Sequence, residues 1–374
     1  MNFRSRLVRT LIPVLLGVLG LALVLVVALV TLPQRPGAAR TASGSGQGPS
    51  PTAPAPGAEP GAEPGAADPA TDPDTPGDAT AAATSNVYFP GGFYREPDTP
   101  ADAAVTRLRA AGDTASAALV QQIASQPTAI WLGDWYSDAL LTTLVKRHAA
   151  AARQQGTTLV LVTYAIPNRD CGGYSAGGHG YDTYLAWNRT IVAALGGTRA
   201  VVLVEPDSLS MLASPKCAGE AAKRLPLIRG AVDILRAAGN RTYLDGGNSN
   251  WLTPSAQAGW LTQAGIATAD GFFTNVSNFY PVQAEQDYAG KVSSRVGWKH
   301  FVIDVSRNGR GWLGTWCNPP GAGLGANPTA KTGAVKLDAL LWVKHPGLSD
   351  GTCNGGPAAG SWFESYALDL ARNR

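Results

Sequence analysis

The chain has 374 residues, a net charge of only +3 and 15% charged residues, with four cysteines and four histidines. No stretch gathers Lys and Arg as nucleic-acid binders do, so no nucleic-acid partner is expected. Scattered histidines and the absence of Cys-x-x-Cys spacing argue against a zinc site; no metal or cofactor is expected.

In chain order, Arg4, Arg6 and Arg9 precede LIPVLLGVLGLALVLVVALVTL, residues 11–32, which contain no charge. That run is long enough to span a bilayer, and the preceding positive charges favour keeping the N-terminus in the cytoplasm. Residues 1–10 are therefore read as a short cytoplasmic N-terminus and 11–32 as a signal-anchor, or as a signal peptide cut near Ala39 or Ala42. Either way the rest is expected outside the cell, membrane-anchored or released. Residues 33–85 hold eleven of the 27 prolines and no aromatic residue. Such a segment cannot bury enough apolar surface to fold and reads as a disordered spacer. Residues 86–374 contain all ten tryptophans and read as one large folded domain, expected to be monomeric. All four cysteines, Cys171, Cys217, Cys317 and Cys353, lie there. In an exported chain they predict two disulfides, with three connectivities open.

Within that domain, strands are expected at 128–132, 158–164, 200–205, 242–245, 271–276, 300–305 and 339–344. Helical periods lie between them. In EAAKRLPLIRGAVDILRAAG the apolar residues Leu225, Ile228, Val232 and Leu235 share one face, and Gly239 ends the helix. DTYLAWNRTIVAAL before Gly196 repeats the pattern. Continuous apolar strands, each followed by a helix, argue a parallel sheet covered on both sides. The fold class is α/β: a distorted, seven-stranded parallel β/α barrel, a variant of the TIM barrel. Active sites of such barrels lie at the C-terminal ends of the strands.

Those ends carry acids. VVLVEPDSLSML ends a strand in Glu205 and Asp207; AIPNRDCGG brings Arg169 and Asp170; YLDGGNSNW brings Asp245; VKHPGLSDG brings Lys344 and Asp350. Four aspartates on one rim, with Trp131, Trp135, Tyr164, Trp251, Trp316 and Trp342 or Trp362 near them, suit a sugar-binding cleft. Carboxylates without metal ligands or a Ser-His-Asp set point to glycoside hydrolysis, in which one carboxyl donates a proton and another assists attack. The donor must be kept protonated by burial or a neighbouring carboxylate. Asp207, at the end of a buried strand with Asp170 on the next, has both devices.

The motifs LVTYAIPNRDCGG, VVLVEPDSLSML, TYLDGGNSNWL, GFFTNVSNFY, FVIDVSRNG, TWCNPPGAGLG and LLWVKHPGLSDG resemble glycoside hydrolase family 6, the inverting cellulases, in that family's order across 127–370. The resemblance implies a β-1,4-glucan substrate. It implies Asp207 as proton donor, Asp170 as the auxiliary acid, Tyr164 beneath the distorted sugar, Ser175 as a holder of the water and Asp350 as candidate base. Asp245 matches a third active-site acid. Trp131, Asn248, Trp251, Asn278, Trp316 and Lys344 match sugar-binding positions, and the disulfides implied are 171–217 and 317–353. Glu205 is read as a structural acid. Two departures, Asn248 in place of a frequent His and Leu348 in place of a common Glu, are expected to alter substrate contacts. Only GTCNGGPAAGS separates Asp350 from Trp362, too short to roof a cleft, so internal cleavage by an endoglucanase is expected. The alternatives are a cellobiohydrolase, a hydrolase of another β-glucan and, more remotely, a non-catalytic glucan-binding protein.

Overall fold

The computed structural model describes residues 87–173 and 175–374. The expected cytoplasmic N-terminus, the apolar segment 11–32 and the spacer lie outside the described residues. Among the described residues, no helix is long and apolar enough to cross a membrane.

Seven strands form one sheet in chain order, every neighbouring pair parallel. They are β1 (Ile130–Gly133), β2 (Leu159–Tyr164), β3 (Ala200–Val204), β4 (Arg241–Asp245), β5 (Gly271–Thr274), β6 (His300–Asp304) and β7 (Leu337–Leu341). Among the described residues, eight α-helices accompany them: α1 (Pro100–Ala110), α2 (Thr114–Ala124), α3 (Asp138–Gln155), α4 (Tyr184–Leu195), α5 (Ala221–Ala237), α6 (Pro254–Gln263), α7 (Val282–Arg295) and α8 (Glu364–Arg372). Local sequence sets their ends. A capping box between Thr99 and Asp102, with Pro100 in the first turn, starts α1. The Ser137 side chain caps α3, and Gly156, at φ 66°, releases the chain from it.

Alternation along the strands builds two cores. Val160, Val162, Val201, Leu203, Tyr243, Phe273, Val302, Ala339 and Leu341 face inward and pack on one another, joined by Phe89. Leu159, Leu161, Val202, Val204, Leu244, Phe272 and Ile303 face outward under the helices. The inner cluster fills the curled sheet as side chains fill a barrel. β1 and β7 share no ladder. Their ends meet through one main-chain bond, Ala129 N–H to Trp342 O at 2.9 Å, and two side-chain bonds. The Trp131 indole donates to Val343 O (2.8 Å), and His345 Nε2 lies 2.6 Å from Ala129 O, so that nitrogen carries the proton. The barrel is thus distorted at this seam.

The last strand differs from expectation. The expected 339–344 pairs only as Leu337–Leu341. Beyond it the N–H groups of Val343 and Lys344 turn to the Asp304 carboxylate, which takes them from the ladder. Trp342, expected near the rim, is 1% exposed and donates to Ala326 O; it belongs to the core. A cavity of about 230 Å³ opens at the opposite end, by the strand starts, where Arg236 and Arg241 both pair with Asp270.

Candidate active site

The acids after β3 divide into two kinds. Glu205 is fully buried and accepts from Ala165 N–H (2.9 Å), Ile166 N–H (2.9 Å) and the Tyr184 hydroxyl (2.9 Å). It ties the start of the β2 loop to β3, which is the structural role expected of it. Asp207, two residues on, has no hydrogen bond to its carboxyl among the described residues. Both acids adopt positive φ, 54° and 69°, on either side of Pro206. Non-glycine residues rarely do so, and such strain persists only where the surroundings enforce it. Burial, followed by the charges of Asp245 and Asp170, pushes the Asp207 carboxyl well above its ordinary value.

Asp245, at the end of β4, supplies the enforcement. Its Oδ2 accepts from Leu209 N–H (2.9 Å) and Ser210 N–H (3.0 Å), and its Oδ1 from Gly247 N–H (3.0 Å). One buried carboxylate therefore grips the loop just after Asp207 and repels a negative charge upon it. Arg224 grips the same loop from α5, donating to Ser208 O (3.0 Å) and to Asn168 O (2.9 Å) on the β2 side. The disulfide Cys171–Cys217 joins the two loops covalently.

Beyond β2, Arg169 is the organiser. Its guanidinium pairs with Asp134 (2.7 Å), donates to Tyr164 O and Ser175 O, and lies 4.4 Å from the centre of the Tyr164 ring. Asp134 also accepts from Gly178 N–H (2.8 Å), and the Asp170 carboxylate accepts from Ser175 N–H (2.7 Å). The glycine loop is thereby held at Ser175 and at Gly178. Desolvation opposes ionisation of Asp134, but the Arg169 guanidinium and the Gly178 N–H together keep its carboxyl below its ordinary value. Tyr164 stands edge-on to Trp131, ring centres 5.0 Å apart. Its phenol is pushed upward by burial and by Asp207.

Asp350 sits across the rim in a different environment. Its Oδ2 meets Arg307 Nη1 (2.7 Å) and accepts from Asn318 N–H (3.0 Å); its Oδ1 meets Lys344 Nζ (2.9 Å). Asn318 Oδ1 accepts from Asp350 N–H in return (2.8 Å). Desolvation opposes ionisation, but the two cations and these bonds win, holding Asp350 at about 2. The disulfide Cys317–Cys353 fastens this pair of loops. Both disulfides are those the resemblance implied.

The remaining expected residues are on the same rim. Trp251 is 38% exposed, whereas the Trp316 indole donates to Ser277 O (3.0 Å). Asn278, after β5, is half-buried and bonds Val276 O (3.2 Å). Asn248 is buried and closes a turn by accepting from Asn250 N–H (3.0 Å). Leu348 is half-buried and pairs with Trp362 in a single antiparallel bridge. Four residues escaped sequence reasoning. Asp134 looked like any acid in a turn, and Arg224 lay in a helical pattern. Arg307 stood in a glycine-bearing turn, and Asp304 was hidden inside an expected strand. The last accepts from Ser277, Ser306 and Lys344 N–H groups at 2.9–3.0 Å.

With one carboxyl pushed up and the other held down, the comparisons with known proteins acquire a physical meaning. The chain is 41% identical over 282 residues to Endoglucanase A of Cellulomonas fimi, covering 75% of this chain and 61% of that relative, so it spans less than two thirds of the relative's length. It is 37% identical to Endoglucanase 1 of Streptomyces halstedii, covering 75% of this chain and 88% of the relative. Among solved structures, an endoglucanase of Mycobacterium tuberculosis in complex with methyl-cellobiosyl-4-deoxy-4-thio-β-D-cellobioside superposes with a TM-score of 0.70. It is 39% identical, over 75% of this chain and 97% of that one. The model of the glycosyl hydrolases family 6 matches residues 91–374, and the chain belongs to that family.

Proposed function

We propose that the protein hydrolyses internal β-1,4-glucosidic bonds of cellulose or a related β-glucan, with inversion at the anomeric carbon. The observation that carries the reading is the opposition between Asp207, raised by burial and two neighbouring acids, and Asp350, ionised down to about 2. Two titratable groups pushed apart by their surroundings mark an acid and its counterpart. In the direct displacement, Asp207 passes its proton to the glycosidic oxygen as the bond to the anomeric carbon breaks. A water attacks from the opposite face of the ring and gives up its proton, so no covalent intermediate forms. Asp350 is the candidate base. At about 2 it is a weak proton acceptor, and it takes the proton only once the water has become acidic through attack.

Asp170 supports Asp207 by charge and, through Ser175 N–H, fixes the loop facing the water. Tyr164 and Trp131, set edge to face, form a corner against which a sugar ring packs, while Trp251, Trp316, Asn278 and Lys344 bind neighbouring rings. Asp245 and Asn248 act from beneath, by shaping the loops. The segment from Gly351 to Ser361 is short and largely exposed, which favours an open groove and internal cleavage over attack at chain ends. Exposure outside the cell, attachment through 11–32 if that run is uncut, and a monomeric state complete the proposal. Cellohexaose digestion followed by proton NMR tests it. The new reducing ends should appear first as the α-anomer; β-anomer first would contradict inversion.

A further inference from the structure

Two large rings outside the residues assigned above share a mount on this rim. Tyr280 and Trp312 stack with ring centres 5.7 Å apart and planes 15° from parallel, and Trp312 is 40% exposed. Neither sits on a loose loop. Tyr280 N–H donates to Asn275 Oδ1 (3.2 Å), and Tyr280 O accepts from both Asn275 Nδ2 (3.1 Å) and Asn308 Nδ2 (3.0 Å). Asn275 directly follows β5 and also donates to Asp304 O at the end of β6 (2.9 Å), so Tyr280 is locked to two strand ends. Asn308 O accepts from Gly311 N–H (3.2 Å), closing the turn that presents Trp312; Gly311 supplies the φ of 72° that turn needs.

A third bond links the pair to the site. Asn250 Nδ2 donates to the Tyr280 hydroxyl (3.0 Å), and Asn250 precedes the exposed Trp251. Trp251, Tyr280 and Trp312 therefore follow the ends of β4, β5 and β6 in turn, the first two linked through the Asn250 bond and the last two by stacking. Exposure of Trp251 (38%) and Trp312 (40%) leaves ring surface that contributes nothing to the core. Indole faces are, however, what the C–H faces of a pyranose chain stack on, and rings fixed by packing and hydrogen bonds lose little entropy when a ligand arrives.

We propose that the Tyr280–Trp312 pair is an outer glucan-binding subsite that continues the cleft beyond Trp251 and favours longer chains. The inference rests on the glucanase reading of the same cleft. Trp312 carries the sugar, and Tyr280 backs it and fixes its angle. A platform remote from the bond broken binds ground state and transition state alike, so it lowers KM and leaves kcat nearly alone.

The test compares Trp312→Ala and Trp312→Tyr with the wild-type full chain on cellotetraose, cellohexaose and soluble carboxymethyl-cellulose. For the alanine variant, kcat/KM should fall about threefold to tenfold on the two longer substrates, through KM, and less than about twofold on cellotetraose. Tyrosine should recover most of the loss. An equal loss at every length, or a lowered melting temperature with a kcat defect, would make Trp312 structural and overturn the proposal; so would no loss at any length. Calorimetric binding of cellohexaose by Asp207→Ala, with and without Trp312→Ala, reads the platform without turnover. Weaker binding in the double variant supports the subsite even if the wild type cleaves none of these substrates, whereas unchanged binding removes it.

Discussion

Replacing Asp350 by Asn keeps the side chain's shape and removes one charge from a buried triad. Asp350 and Arg307 are fully buried at the side chain and Lys344 is 17% exposed, so the two cations would be left together without their anion. Two arguments size the effect. Lowering Asp350 from 3.8 to about 2 corresponds to roughly 2 kcal/mol of stability at neutral pH. Breaking a buried ion pair by removing one partner costs about 3–5 kcal/mol, because the remaining charge stays desolvated. The sign follows from linkage: a depressed carboxyl stabilises the fold above its unfolded value and loses that contribution as pH falls through the folded one. Near pH 3 the charge-linked part should have shrunk to about 1 kcal/mol. Urea unfolding of wild type and Asp350→Asn at pH 7 and pH 3 reads this directly. The stability gap should be at least about 2 kcal/mol at pH 7 and narrower at pH 3. Adding Lys344→Met to the variant should restore part of it, by removing one uncompensated cation. A gap that is the same at both pH values would refute the ion-pair account of this loop.

Three further outcomes are expected. Asp207→Ala should reduce hydrolysis of unactivated cello-oligosaccharides by about 10²–10⁴-fold, while aryl cellobiosides with acidic leaving groups retain measurable turnover; equal losses in steady-state assays would remove Asp207 as the acid. Asp170→Asn takes away one of the charges raising Asp207, so the alkaline limb of the kcat/KM profile should move to lower pH, and an unmoved limb would count against that coupling. Cys317→Ser with Cys353→Ser opens a loop of sequence separation 36, which chain entropy values at about 4 kcal/mol. Thermal unfolding should show the loss, and an unchanged melting temperature would mean the Asn318–Asp350 bonds suffice.

The strands were readable because each centres on apolar residues, and six of the seven start and stop within two residues of expectation. The seventh misled because ALLWVK continues apolar after pairing has ended. What ends it is Asp304, a residue distant in sequence that captures the Val343 and Lys344 N–H groups. The same non-locality limited the site. Acids at strand ends announce themselves by following apolar runs, which is how Asp170, Asp207, Asp245 and Asp350 were located. Their division of labour is not written locally: Glu205 and Asp207 differ by two positions, yet one collects three hydrogen bonds and the other none from the described residues. Asp245 reads as a site acid, and its carboxylate is taken up by the N–H groups of Leu209, Ser210 and Gly247. Arg307 and Asp134 matter because of partners far along the chain, and no spacing signals that. Asn248, expected as a departure in a substrate contact, also closes its own turn by accepting from Asn250 N–H, which its sequence position alone does not reveal.

The most direct test of the endoglucanase reading is to follow viscosity and new reducing ends together while the full chain acts on carboxymethyl-cellulose. Internal cuts in an open groove predict a steep fall in viscosity for few ends released. Many ends with little loss of viscosity would mean attack from chain ends and would contradict the reading of the short loop after Asp350.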